Sequence, residues 1–280
     1  MPQFDTALAH HRLAYRTDGP DTDMAQTGIF WLGGLKSDMT GSKAAALAAM
    51  ARATRRNCLR FDYSGHGASS GAFEDGPISL WLDQAVHMFI SHTTGRRVVV
   101  GSSMGGWLAL LLARALSRED PAHFRRIAGL VLIAPATDMT EALMWEQFPF
   151  SVRQTILERG HWDLPSDYGG GYHITAQLIE DGRRHLLFQD GLALPFPVRI
   201  IQGGEDKDVP PDHAVRVERL DLVAVQPPDP APRPFEMLTG PDVTLTYIKG
   251  GDHRLSTPTQ LAIIKETVNS LCERSDGISP

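Results

Sequence analysis

Cysteine is nearly missing from this chain: Cys58 and Cys272 are the only two in 280 residues. Two distant thiols form no disulfide framework, and neither belongs to a metal-type or redox pair, so a reducing compartment is expected. No run approaches about 18 consecutive apolar residues, so no transmembrane helix is expected. The segment 1–16 contains Asp5 and no apolar run of signal-peptide length, so a cytoplasmic location is expected. Basic blocks are missing as well. A net charge of −6 argues against nucleic acid or an anionic membrane as the main partner. No internal repeat is evident, which excludes solenoids and propellers.

What the chain has instead is the balance of an ordinary globular protein, 42% hydrophobic and 21% charged, long enough for one domain over residues 1–280. Short β-branched or aromatic runs alternate with helix-forming stretches. Residues 11–17 read as an edge strand, and 27–32, 57–63, 98–100 and 127–134 as further strands. Residues 42–56, with Ser42 as N-cap, and 78–92 read as helices. Such alternation predicts an α/β fold, a mostly parallel sheet with helices on both faces and functional groups at the carboxyl ends of the strands. The alternation stops over 137–197, where eight of the 21 aromatic residues fall. This segment is expected to be a helical cap over the sheet, inserted after the sixth strand. A strand at 198–201, a short helix at 211–220, a strand at 243–248 and a helix at 258–274 resume the pattern. The six prolines of 226–241 mark an extended loop.

The chain is organised around residues 97–112, RVVVGSSMGGWLALLL. A valine run, a Gly-Ser-Ser-Met-Gly turn and an apolar helix give Gly-x-Ser-x-Gly the strand–turn–helix context of a nucleophile elbow centred on Ser103. Glycines two positions either side let a strand and a helix approach the turn. A second match to the pattern, Gly67-Ala68-Ser69-Ser70-Gly71, is followed by loop chemistry, so Ser69 is read as structural.

A serine hydroxyl needs a base to take its proton, and the base needs a carboxylate to fix its tautomer. Asp206 follows the strand at 198–201 and His253 the strand at 243–248, in the chain order Ser, Asp, His. Asp208 and Asp138 compete with Asp206, which is favoured because it lies closer to its strand end. Backbone N–H groups of Met104, after the nucleophile, and of Leu35, after the strand at 28–32, are the expected oxyanion donors. Lys36, Asp38, His66, Trp145 and Trp162 are candidate substrate contacts. No cofactor or metal is called for.

These residues resemble the α/β-hydrolase family. The loop Asp62-Tyr63-Ser64-Gly65-His66-Gly67-Ala68-Ser69 is similar to its Asp-x-x-Gly-x-Gly-x-Ser loop. More narrowly, GGLKSDMTGSKA (33–44), RFDYSGHGASSG (60–71), GSSMGGWL (101–108) and DHR (252–254) resemble the branch of mitochondrial palmitoyl-protein thioesterases and acyl-glucuronide esterases with their bacterial relatives. The resemblance implies cleavage of acyl thioesters and carboxylic esters without a cofactor, on a small molecule or an acylated protein. By analogy alone it implies the mitochondrial matrix as a second location. Gly33 and Gln202 stand where many members carry the His of a His-Gly pair. Two further readings keep the fold: a peptidase, haloperoxidase or carbon–carbon hydrolase, and a ligand-binding scaffold without catalysis.

Overall fold

In the computed structural model, residues 1–6, 8, 11–20, 26–164, 172–220 and 242–277 are described. The strands are β1 (Gln3–Asp5), β2 (Leu13–Asp18), β3 (Gly28–Leu32), β4 (Cys58–Phe61), β5 (Arg97–Ser102), β6 (Ile127–Ile133), β7 (His161–Leu164), β8 (Tyr172–Thr175), β9 (Val198–Gly203) and β10 (Val243–Ile248). Eight of them form one sheet in the order β1-β2-β4-β3-β5-β6-β9-β10, with β7 and β8 paired separately. Pairing is parallel from β4 to β10, and β2 runs antiparallel to both neighbours. The helices are α1 (Ser42–Ala53), α2 (Ile78–His92), α3 (Met104–Glu119), α4 (Pro121–Phe124), α5 (Phe150–Arg159), α6 (Ala176–Gly182), α7 (Pro211–Glu218) and α8 (Pro258–Asp276).

The strands are apolar along their whole length because both faces of the sheet are covered. Alternate residues of β3 divide between two cores: Phe30 and Leu32 face α2 and α3, Ile29 and Trp31 face α1 and α8. Leu108, Leu111 and Leu112 of α3 are fully buried, each contributing about 1.5–3 kcal/mol. The helix that follows the elbow is therefore firmly anchored. Among the described residues no helix is long and apolar enough to cross a membrane.

Strand order reverses at β3, since β4 lies to one side of it and β5 to the other. Loops leaving the carboxyl ends of β3 and β5 diverge there, which opens the crevice where such sheets carry their ligands. Register aligns these ends: Leu32 pairs with Gly101, Ser102 with Ile133, Ile133 with Ile201, and Gly203 with Ile248.

Several expectations need correction. The strand expected at the edge, β2, lies inside the sheet, because β1 adds outside it. Ser42 is the first residue of α1, not its cap; Gly41 holds the cap position without a side-chain bond. That helix ends at Ala53, short of Arg56, and Arg55 turns to a φ of 56°. Between β6 and β9 the chain leaves the sheet, but not as helix alone. It makes a wide π-helical turn at Met139–Trp145, then α5, then the antiparallel pair β7–β8, then α6. Trp162 and Ile174 pair across β7–β8 while His161, Asp163 and His173 point to solvent, a period-two pattern too short to stand out in the sequence. The proline-rich stretch 226–241 lies outside the described residues.

Candidate active site

Ser103 sits between β5 and α3 with φ 56° and ψ −122°, a left-handed conformation that costs a non-glycine residue on the order of 1–3 kcal/mol. Its surroundings enforce it. The Ser103 N–H donates to the Ile133 carbonyl at 2.9 Å, and the Ser103 carbonyl accepts from Ala136 at 3.1 Å and Gly106 at 2.8 Å. The flanking glycines leave no alternative. A Cβ on Gly101 would lie 2.1 Å from the Gly105 carbonyl oxygen, and one on Gly105 would lie 2.2 Å from that of Leu32. Gly105→Ala is therefore expected to push α3 off the β3 end and cost about 1–3 kcal/mol, read as a melting temperature lower by on the order of 5 °C. An unchanged melting temperature would show that the turn has slack.

Two loops bring their side chains to this turn. With its proton on Nδ1, His253 donates to Asp206 Oδ2 at 2.9 Å and its Nε2 accepts the Ser103 hydroxyl at 3.0 Å. The tautomer follows from the partners. The Asp206 side chain is wholly buried and fully occupied. Its Oδ1 accepts the N–H groups of Asp208 at 3.0 Å and Val209 at 2.9 Å, and Oδ2 also accepts Gln202 Nε2 at 3.1 Å. Of the competing acids, Asp138 accepts the N–H groups of Leu187 at 2.8 Å and Phe188 at 2.9 Å, which ties the start of the segment between β6 and β9 to its later part. Burial pushes its carboxyl above the usual range. Asp208 is exposed, with an oxygen in the same 4.8 Å cluster as Asp206 and His253.

Leu35 and Met104 belong to the loops that meet at the strand-order reversal. Gly34 backs onto Ser103: a Cβ there would be 3.2 Å from that of the serine. Among the described residues neither the Leu35 nor the Met104 N–H donates to a protein acceptor. The loop carrying Leu35 is braced from below. Asp62 Oδ1 accepts the Met39 N–H at 2.6 Å and Oδ2 accepts that of Ala68 at 2.9 Å, while Arg60 donates to the Met39 carbonyl at 2.5 Å. Ser69 is part of this brace, donating to the Asp62 carbonyl at 2.6 Å and accepting Ala14 N–H at 2.8 Å.

The other sequence candidates are less clearly directed at the serine. Lys36 places its ammonium 4.5 Å from the centre of the Phe73 ring. Asp38 accepts from the Thr40 N–H and hydroxyl. His66 is buried between Tyr63, Phe73 and Trp81, with Nδ1 3.0 Å from the Ser64 carbonyl; burial lowers its pKa and keeps it neutral. Trp145 stands beside the guanidinium groups of Arg153 and Arg183, and Trp162 packs on Phe148, all within the segment between β6 and β9.

Two residues escaped the sequence reading. Gln202 stands out there only as a departure from a family pattern, yet it holds Asp206 while also donating to the Val209 carbonyl at 2.9 Å. Lys43, whose ammonium donates to the Arg254 carbonyl at 2.5 Å, has a signal in hindsight: a cation in the first turn of a helix opposes the helix dipole.

Away from the serine, Asp5 accepts from His87 at 3.1 Å and His92 at 2.6 Å. Ligand atoms of a tetrahedral ion with bonds near 2 Å stand about 3.3 Å apart. The shorter contact is thus a direct hydrogen bond, and the trio reads as a clamp between β1 and α2.

A family model described as "Alpha/beta hydrolase family" matches residues 29–263. The chain is 26% identical over 253 residues to the mitochondrial palmitoyl-protein thioesterase ABHD10 of Homo sapiens, covering 90% of this chain and 74% of that protein. Among solved structures it is similar to a putative hydrolase from Agrobacterium vitis S4, with 34% identity, coverage of 97% and 98% of the two chains, and a TM-score of 0.83. The mouse alpha/beta hydrolase domain-containing protein 10 gives 26% identity, coverage of 98% and 99%, and a TM-score of 0.78.

Proposed function

This chain belongs to the alpha/beta hydrolase family, and from that premise we propose that it is a serine hydrolase cleaving carboxylic esters or acyl thioesters through an acyl-enzyme. The observation that carries the reading is the continuous hydrogen-bonded path from the Ser103 hydroxyl through His253 to Asp206, with contacts of 3.0 and 2.9 Å.

In the proposed cycle, Ser103 Oγ attacks the acyl carbonyl carbon as its proton passes to His253 Nε2. Negative charge develops on the carbonyl oxygen and is received by the N–H groups of Leu35 and Met104. Asp206 keeps the Nδ1 proton in place and stabilises the imidazolium. The tetrahedral intermediate collapses, the bond to the leaving alcohol or thiol breaks, and His253 returns the proton to it. Water then gives its proton to the same nitrogen and attacks the acyl-serine; the bond from the acyl carbon to Ser103 Oγ breaks, His253 returns the proton to that oxygen, and the carboxylic acid leaves. The segment 137–197 is proposed as the lid that screens these steps from solvent, with Trp145 and Trp162 on its inner packing, Lys36 and Asp38 at the rim, and His66 buried beneath them. The thioester half of the reading draws support from the relatives named as palmitoyl-protein thioesterases. The working compartment is proposed as the cytoplasm, with free, buried Cys58 and Cys272 in keeping with a reducing milieu, or by analogy the mitochondrial matrix.

Parallel kinetics on a palmitoyl thioester, short p-nitrophenyl esters and an acyl glucuronide test this. Turnover of at least one, with labelling by a fluorophosphonate probe, is expected. No turnover and no labelling would return the chain to the non-catalytic reading.

A further inference from the structure

Lys43 takes no part in the proton transfers above, yet this half-buried cation bonds to the loop that carries His253. It stands in the first turn of α1, directly after the loop that carries Leu35. Its ammonium crosses to the loop between β10 and α8 and donates to the Arg254 carbonyl at 2.5 Å, 211 residues away in sequence. Arg254 is the neighbour of His253. The same loop is fixed on its other side by the Asp252 carboxylate, which accepts the Leu255 N–H at 3.0 Å, and by the fully buried Leu255 side chain, whose backbone is held at φ 45°. The loop around His253 is thus fastened at three points, and Lys43 is the one that reaches from the oxyanion side.

We propose that Lys43 is a positioning residue: it ties the loop supplying the Leu35 N–H to the loop supplying His253, so that the base and the oxyanion donor keep one mutual geometry. This rests on the serine-hydrolase reading and adds to it a residue that touches no reacting atom.

The charges that face Lys43 are Asp252 and Arg254 on the β10–α8 loop and Asp206 on the β9–α7 loop. The other charged residue of α1, Arg52, pairs with Asp18 at the far end of the helix. Burial brings the Lys43 pKa down to about 8, against the opposing pull of Asp252 and Asp206. The tie is therefore an ammonium–carbonyl bond below about pH 8 and a weaker amine–carbonyl bond above it. Turnover follows: kcat declines on the alkaline side as the charge is lost.

The test is kcat and KM for a p-nitrophenyl ester between about pH 6 and 10, for the unmodified chain, Lys43→Met and Lys43→Arg. Thermal melts and fluorophosphonate labelling are run on each. Lys43→Met is expected to lower kcat about ten- to a hundredfold with KM within about twofold, and to lack the alkaline decline. Lys43→Arg, charged throughout, is expected to restore most of kcat and to hold it past the point where the unmodified chain falls. A Lys43→Met protein with unchanged kcat and the same decline overturns the proposal. So does a folded Lys43→Arg protein that still declines near pH 8; this arm decides alone if the methionine variant does not fold. Failure of the underlying reading looks different: the unmodified chain neither labels nor turns over, and the Lys43 assignment falls with it.

Discussion

Ser103→Ala is expected to lower kcat for ester or thioester hydrolysis by on the order of 10⁵–10⁶ while leaving the fold as it is. The substitution isolates one atom. Alanine keeps the Cβ, so the strain of φ 56° and ψ −122° is the same before and after, and the backbone bonds to Ile133, Gly106 and Ala136 remain. What disappears is an oxygen whose partner is His253 Nε2 at 3.0 Å. The melting temperature should stay within about 2 °C, and labelling by a fluorophosphonate should vanish. Residual rate above the water reaction is anticipated, because the N–H groups of Leu35 and Met104 still receive the developing charge. Hydrolysis at the unmodified rate would remove Ser103 from the chemistry and leave the elbow a structural turn.

The fold was legible because its signals are long or redundant. Buried parallel strands such as β3, β5 and β6 write themselves as apolar runs, and α2 as a 15-residue amphipathic stretch. The meeting of Ser103, Asp206 and His253 was legible for a topological reason: each directly follows a parallel strand, and parallel strands deliver their carboxyl ends to one edge. What stayed hidden depends on side-chain reach. Nothing in the sequence says that the amide of Gln202 turns back on Asp206 four residues later, or that Lys43 spans to Arg254. The segment between β6 and β9 was legible as a break in the alternation but not as a shape. Its four-residue strands and π-helical turn lie below the length at which periodicity is informative. The placement of β2 depended on β1, three residues long, too short to be read as a strand.

Asp206→Asn is expected to lower kcat by about 10⁴ with little change in KM, through the tautomer of a residue it only touches. Four donors converge on the two carboxylate oxygens: the N–H groups of Asp208 and Val209 on Oδ1, Gln202 Nε2 and His253 Nδ1 on Oδ2. Asparagine offers one oxygen and one NH₂. If the oxygen faces the two backbone donors, which cannot move, the NH₂ faces Gln202 and His253. Rotating Gln202 so that its own oxygen accepts would give up its bonds to the Val209 and Gly203 carbonyls, at 2.9 and 3.3 Å, so the amide is held against the change. His253 must then accept at Nδ1, which puts its proton on Nε2, facing Ser103. An imidazole protonated there cannot take the serine proton, although every heavy atom is in place. The reverse orientation of the asparagine leaves the N–H groups of Asp208 and Val209 without an acceptor, at a cost of about 1–3 kcal/mol for the buried Val209, and would appear as a lower melting temperature with more activity retained. If kcat instead stays within about tenfold of the unmodified chain, the carboxylate at work is the exposed Asp208, whose oxygen shares the same 4.8 Å cluster, and Asp208→Asn should then show the loss that Asp206→Asn did not.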